Sequence, residues 1–378
     1  MKNSRVPGRL LIFALLLPRL LFGWLRRKPA AANVQRIVVL HQFLLGDALM
    51  ATSLLAKLRQ QYPAAEILLA CPPLQTGLYA ARPYGVQTLP WMPRDFSSIW
   101  RLCTLGRVDW VLLMGENRLS FLGRAMGARW VSGFAGETPA YKNWLLDEAV
   151  PYADTPEAWT DTAARLVDGP EPARFALSDW PLPSATLPDL PARFVLLHVG
   201  ASSATRYWPA DSWAALARQL RAQGLGIVWS CGPGEQHLLP TAGIAPDDTV
   251  LAGTLSLPQL RLVMARALVN VCPDTGVAHL AKTTGQPLVM LFGPGAEILF
   301  GPGRFFAGSP FAGVGPAWFP CRNQRTIHHR EVAWALRCGR RLGDAPPACR
   351  RPLCMESIQV VDVINTLVRL LSLKENYE

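Results

Sequence analysis

The sequence predicts an α/β chain built from two parallel-sheet domains, and three observations carry that prediction. Short, wholly apolar runs at residues 37–40, 110–114 and 194–197 read as buried strands. Segments whose apolar residues recur at three- and four-residue steps lie between such runs, giving the strand-helix-strand order of a right-handed crossover. A stretch dense in Pro, Ser, Asp and Gly, residues 168–191, divides the series in two.

The chain opens on a basic apolar segment, residues 1–33. Lys2, Arg5, Arg9, Arg19, Arg26, Arg27 and Lys28 all precede Asp47, the first acidic residue. Its apolar stretches, 10–17 and 20–25, are interrupted by Pro18 and Arg19. A spanning helix needs about 20 apolar residues in a row, so the segment predicts an interfacial helix lying on an anionic membrane. A cleaved signal peptide ending near Ala30-Ala31-Ala32 and a buried hairpin are the competing readings.

The first domain, residues 34–175, starts with the strand at 37–40 and a polar-glycine turn, 41–46. A helix follows with apolar positions Ala48, Ala51, Leu55, Leu58 and Tyr62, ended by Pro63. Further strands are expected at 67–70 and 110–114. After a linker, 176–190, a second domain spans 191–354, with strands at 194–197, 227–230, 268–271 and 287–292. Its helices are expected at 211–223, 258–267 and 276–284. Residues 293–354 have weak periodicity, and 355–378 form a final helical segment.

The net charge of +11 and pI near 9.6 imply a polyanionic partner, and nucleic acid, an anionic membrane face and a phosphorylated glycolipid all satisfy that. Eight cysteines contain no CxxC pair. The first four sit singly in apolar surroundings, as reduced thiols do; Cys321, Cys338, Cys349 and Cys354 cluster among arginines, where free thiols, a zinc site and a disulfide are the alternatives.

Four constellations can carry chemistry. Gly46-Asp47 lies where the first strand meets the first helix, so Asp47 points at a ligand or caps the helix. The loop from Gly200 to Pro209 follows the first strand of the second domain. Its small residues admit a phosphate, Ser202 and Ser203 add donors, and Arg206 can neutralise a diphosphate; a plain solvated loop is the alternative. Asp274-Thr275-Gly276, with His279 one turn on, opens a helix whose free amides suit an anion, although a lone histidine there also reads as a core residue. Glu235, in Gly232-Pro233-Gly234-Glu235, is placed to accept ribose hydroxyls or to sit in a solvated turn. Neither a P-loop nor a GxGxxG fingerprint occurs.

Taken in order, the Gly46-Asp47 turn, the loop ending Arg206-Tyr207-Trp208-Pro209, the Asp274-Thr275-Gly276-x-x-His279 turn and Leu291-Phe292-Gly293-Pro294 resemble glycosyltransferase family 9, the ADP-heptose lipopolysaccharide heptosyltransferases. The resemblance covers residues 35–295 and a second segment at Cys354-Met355-Glu356-Ser357-Ile358. It implies a GT-B fold, two Rossmann-like domains facing across a cleft, and an inverting, metal-independent transfer without a cofactor. The donor, ADP-heptose or a related nucleotide sugar, is a substrate. By position, Asp47 matches the family's proposed base. Ser202, Ser203 and Arg206 match the phosphate loop, where lysine is usual at the last. Glu235 matches the ribose contact, and Asp274, Thr275, Gly276 and His279 match residues around the donor sugar and diphosphate. His41 and Tyr207 depart from the basic residues often found at their positions. The implied partners are the donor, a glycolipid or glycan acceptor and an anionic membrane, not nucleic acid, at the cytoplasmic face of the inner membrane. A nucleotide-sugar epimerase and a non-catalytic nucleotide-binding scaffold are the rival functions.

Overall fold

The computed structural model describes residues 4–20, 28–343 and 348–375. Lys2, Arg26, Arg27 and the apolar stretch 21–25 of the N-terminal segment lie outside the described residues. The chain divides into two compact units, one of residues 1–155, 160–173 and 326–334, the other of 156–159, 174–325 and 335–378.

Unit 1 is a six-stranded parallel sheet in the order β3-β2-β1-β4-β5-β6. The strands are β1 (Arg36–Leu40), β2 (Glu66–Cys71), β3 (Gln87–Pro90), β4 (Trp110–Leu113), β5 (Trp130–Phe134) and β6 (Glu148–Val150). The central strands read as unbroken apolar runs because both of their faces are covered: Ile37, Val38, Val39, Val111, Leu112 and Leu113 are fully buried. Covering helices are α1 (Val6–Leu20), α2 (Leu45–Met50), α3 (Thr52–Gln61), α4 (Pro73–Thr76), α5 (Phe96–Cys103), α6 (Ser120–Ala125) and α7 (Trp159–Ala164). The single helix expected after β1 is two, α2 and α3, meeting at Ala51, whose ψ of −7° loosens the turn there. A two-strand antiparallel ladder from much later in the chain, Thr326–Ile327 with Arg330–Glu331, packs into this unit as well.

Unit 2 repeats the topology. Its sheet runs β9-β8-β7-β10-β11-β12, again with the first strand inside and a crossover to the fourth. Here β7 is Phe194–His198, β8 Gly226–Cys231, β9 Thr249–Ala252, β10 Val269–Pro273, β11 Leu288–Leu291 and β12 Phe311–Val314. The helices are α8 (Ala210–Ala222), α9 (Leu257–Arg266), α10 (Gly276–Ala281), α11 (Glu297–Phe300), α12 (Leu353–Glu356) and α13 (Val360–Glu375). The final helical segment therefore starts earlier than expected and is broken between α12 and α13. The weakly periodic stretch hides a true strand, β12, which pairs in parallel with β11. Trp208, Trp213 and Trp229 meet edge-on at 5.0 and 6.5 Å in a core shared with Leu197, Leu216 and Val271. Each buried aliphatic side chain there contributes about 1.5–3 kcal/mol. All eight cysteines are free thiols.

The two sheets, each with helices on both faces, make the α/β class expected from the sequence the class observed.

Candidate functional site

At the carboxyl edge of the first sheet, β1 gives way to α2 within four residues. Asp47 is the third residue of α2 and half-buried. The N-cap position is Leu44, so Asp47 sits inside the first turn of the helix rather than at its cap position. Close by in sequence, His41 is buried and its Nδ1 accepts from the Phe43 amide at 3.2 Å. Burial pushes its pKa down to about 3, so it is neutral. The His41 ring stacks on Phe43 at 5.3 Å, and Phe43 meets His328 at 5.0 Å.

His328 arrives on the late ladder, and Arg330 pins that ladder down. The Arg330 guanidinium, 1% exposed, donates to the carbonyls of Gly115, Phe134, Ala135 and His328. It also lies 3.4 Å from the Glu137 carboxylate and 5.9 Å from the centre of the Tyr152 ring. Burial raises the Tyr152 phenol, Arg330 opposes the rise, and the Glu137 and Asp47 carboxylates add to it, which places Asp47 within electrostatic reach of this cluster. Arg330, Glu137 and His328 were not singled out from the sequence. A link between residues nearly 200 positions apart leaves no local signal.

At the matching edge of unit 2, three of the expected segments adjoin. Arg206 Nη1 donates to the Asp274 carbonyl at 2.8 Å, joining the loop after β7 to the turn after β10. Glu235 Oε2 accepts from the Gly232 amide at 2.7 Å, and the same carboxylate lies directly against Gly200. A Cβ at Gly200 would meet this carboxylate and make the Glu235 side chain shift. Ser203 Oγ bonds Thr205 Oγ1 at 2.9 Å, while Ser202 is exposed. Thr275 caps α10 by accepting from the Val277 amide at 3.0 Å, and Gly276 opens the helix. Asp274 and Thr275 are buried, and the Asp274 carboxylate abuts Gly295.

His279 lies one turn into α10, with Nε2 4.0 Å from Asp274 Oδ1. Burial, then the nearby Lys282 and Arg206, push its pKa well below the ordinary value, so it is neutral. Lys282 is the residue that sequence reasoning missed here. Its Nζ lies 3.3 Å from His279 Nδ1, 2.5 Å from the Phe300 carbonyl and 2.7 Å from that of Gly301. An amine cannot accept from a carbonyl, so it is the donor in both of those bonds; its contact with His279 then favours the tautomer with the histidine proton on Nε2, toward Asp274. Burial lowers the Lys282 pKa to about 7, although Asp274 and Glu297 draw it upward. Among the described residues no group of three or more His, Cys, Asp or Glu side chains could hold a metal ion.

Comparison with known proteins gives these edges a context. The model of glycosyltransferase family 9 (heptosyltransferase) matches residues 101–304, more than half of the chain. The chain is 28% identical to lipopolysaccharide heptosyltransferase 3 of Escherichia coli over 114 residues, 29% of this chain and 34% of that protein. Its match to that relative thus spans about a third of the relative's length. Over 248 residues it is 26% identical to lipopolysaccharide heptosyltransferase 1 of Pseudomonas aeruginosa, covering 60% of this chain and 68% of that one. The structure of E. coli ADP-heptose lps heptosyltransferase II superimposes with a TM-score of 0.64 at 17% identity, covering 90% of this chain and all of the other. A likeness at that identity fixes the fold, GT-B, and the family model fixes the kinship: the chain belongs to glycosyltransferase family 9 (heptosyltransferase).

Proposed function

We propose that the chain transfers a heptose from ADP-heptose to the core of lipopolysaccharide or a related glycan, with inversion and without a metal ion. The observation that carries the reading is the junction of Arg206 with Asp274, flanked by Glu235 on one side and Thr275, Gly276 and His279 on the other. It is a compact anion-binding edge with a carboxylate placed for ribose. Arg206, Ser202, Ser203 and the amides at Thr275-Gly276 hold the diphosphate, Glu235 takes the ribose, and Asp274 and His279 face the sugar. Unit 1 supplies the base.

In the transfer, an acceptor hydroxyl oxygen attacks the anomeric carbon from the face opposite the diphosphate. The bond from carbon to diphosphate oxygen breaks, its electron pair leaves with ADP, and Asp47 takes the hydroxyl proton. Arg206 and the backbone donors meet the charge that develops on the leaving oxygen, so the step needs no divalent cation. Names of relatives support this donor and acceptor class, since each of the three is called a lipopolysaccharide or ADP-heptose heptosyltransferase. Such donors and a basic N-terminal segment support a working location at the cytoplasmic face of the inner membrane.

The test is Asp47→Asn, assayed for sugar transfer to lipopolysaccharide-core acceptor. Loss of a positioned base lowers turnover by about 10² to 10⁴. Transfer within threefold of the parent would remove Asp47 from the mechanism.

A further inference from the structure

Helix α1 has two apolar faces, and the transfer reading uses neither. One is spent inside unit 1: Leu16 is 3% exposed, Leu11, Ile12 and Leu15 pack on the core cluster holding Ile99 and Leu102 of α5, and Arg19 donates to the carbonyls of Arg124 and Ala125. Gly8 lies so close to the Ile99 side chain that a Cβ there would make Ile99 shift. The helix is thus built into the domain rather than tethered to it.

The second face is open. Val6, Leu10, Phe13, Leu17 and Leu20 are 57, 65, 50, 66 and 40% exposed, at steps of four, three, four and three residues, which puts them on one stripe. Neighbouring α5 exposes Phe96 and Trp100, 47 and 50%, stacked one turn apart at 6.4 Å. Arg5, Arg9, Arg94 and Arg101 are exposed around these side chains. Asp95, the acid among them, is occupied in capping α5 through the Ser97 amide. Among the described residues no helix is long and apolar enough to cross a membrane. An apolar stripe rimmed by arginines, on a helix whose opposite face is spent inside the domain, fits the head-group and acyl boundary of an anionic bilayer, where tryptophan is also favoured.

We infer that α1 and α5 form one membrane-seating face of unit 1, with Leu10, Phe13, Leu17, Phe96 and Trp100 entering the acyl boundary and Arg5, Arg9, Arg94 and Arg101 on anionic head groups. The inference rests on the membrane location proposed above and adds α5 to it. Because α1 is part of the core, seating this face fixes the orientation of the whole unit on the bilayer.

Full-length protein is titrated with vesicles of phosphatidylglycerol and phosphatidylcholine, and the parent is compared with Phe13→Glu and Trp100→Glu. Each side chain is half exposed, and circular dichroism melting together with ADP calorimetry confirms folding. Each charge is expected to weaken partitioning by about tenfold or more, given the area an aromatic ring buries. Brominated acyl chains should quench parent fluorescence more than that of Trp100→Phe. If Trp100→Glu binds as the parent does while Phe13→Glu does not, α1 seats alone and the inference fails, with the membrane location intact. A dimer that Trp100→Glu dissociates overturns the inference and leaves the membrane location standing; no vesicle binding by the parent overturns both, and neither outcome touches the donor site.

Discussion

The two sheets share one strand order, yet their carboxyl edges are held by different buried cations. In unit 1 Arg330 sits among four carbonyls and the Glu137 carboxylate. In unit 2 Lys282 sits against two carbonyls and the His279 ring. A guanidinium keeps its charge across any working pH, whereas a buried amine is able to shed its proton. Topology therefore sets where an edge lies, and the choice of cation decides whether that edge responds to pH. The buried cation at the edge assigned to the base is fixed in charge; the one at the edge assigned to the diphosphate is titratable.

The largest expected effect breaks the fixed edge. Arg330→Met leaves several buried carbonyls without their donor and Glu137 with Lys142 as its counter-charge. Loss of one partner of a buried pair costs about 3–5 kcal/mol. Urea unfolding of the variant should show a loss in that range. A loss below about 1 kcal/mol would mean that the guanidinium is dispensable and the comparison misplaced.

A smaller effect sharpens the other side. The unfolded chain holds the Lys282 proton up to its ordinary pKa of 10.5, and the folded chain releases it near 7. Between those values the unfolded state binds more protons, so stability rises with pH, by about 1.4 kcal/mol per unit. Below pH 7 both states are protonated and the contribution is flat. Lys282→Met should therefore lose roughly 2–3 kcal/mol of the gain the parent shows between pH 7 and pH 9. The slope is the readout, since the variant's absolute stability also reflects the stranded carbonyls. Equal slopes in parent and variant would show that Lys282 keeps its proton.

The difference between the edges also marks how far the sequence is legible. Central strands such as β1, β4 and β7 are continuous apolar runs because both faces are covered, and they are plain in the sequence. Edge strands are not. β12, Phe-Ala-Gly-Val, carries a glycine and only alternate burial, so nothing separates it from the loop around it. The helix after β1 is legible by its period, but its break at Ala51 is not, since alanine favours helix on both sides. At the site, Arg206, Glu235, Asp274 and His279 stand out one by one as polar residues after strands. The contacts that join them, Arg206 to the Asp274 carbonyl and Glu235 against Gly200, depend on loop paths that no local pattern encodes. Lys282 in an apolar helix reads as a solvated end, and its place inside comes from contacts far along the chain, the carbonyls of Phe300 and Gly301 among them.

The division of labour between the edges is tested most directly by ADP calorimetry on Arg206→Ala and Asp47→Asn side by side. Arg206→Ala should weaken ADP by about 1.5–3 kcal/mol, the range for a hydrogen bond to a charged group. Asp47→Asn should leave ADP affinity within a few tenths of a kcal/mol, because the base makes no donor contact in this account. Unchanged affinity in Arg206→Ala, or an equal loss in Asp47→Asn, would contradict it.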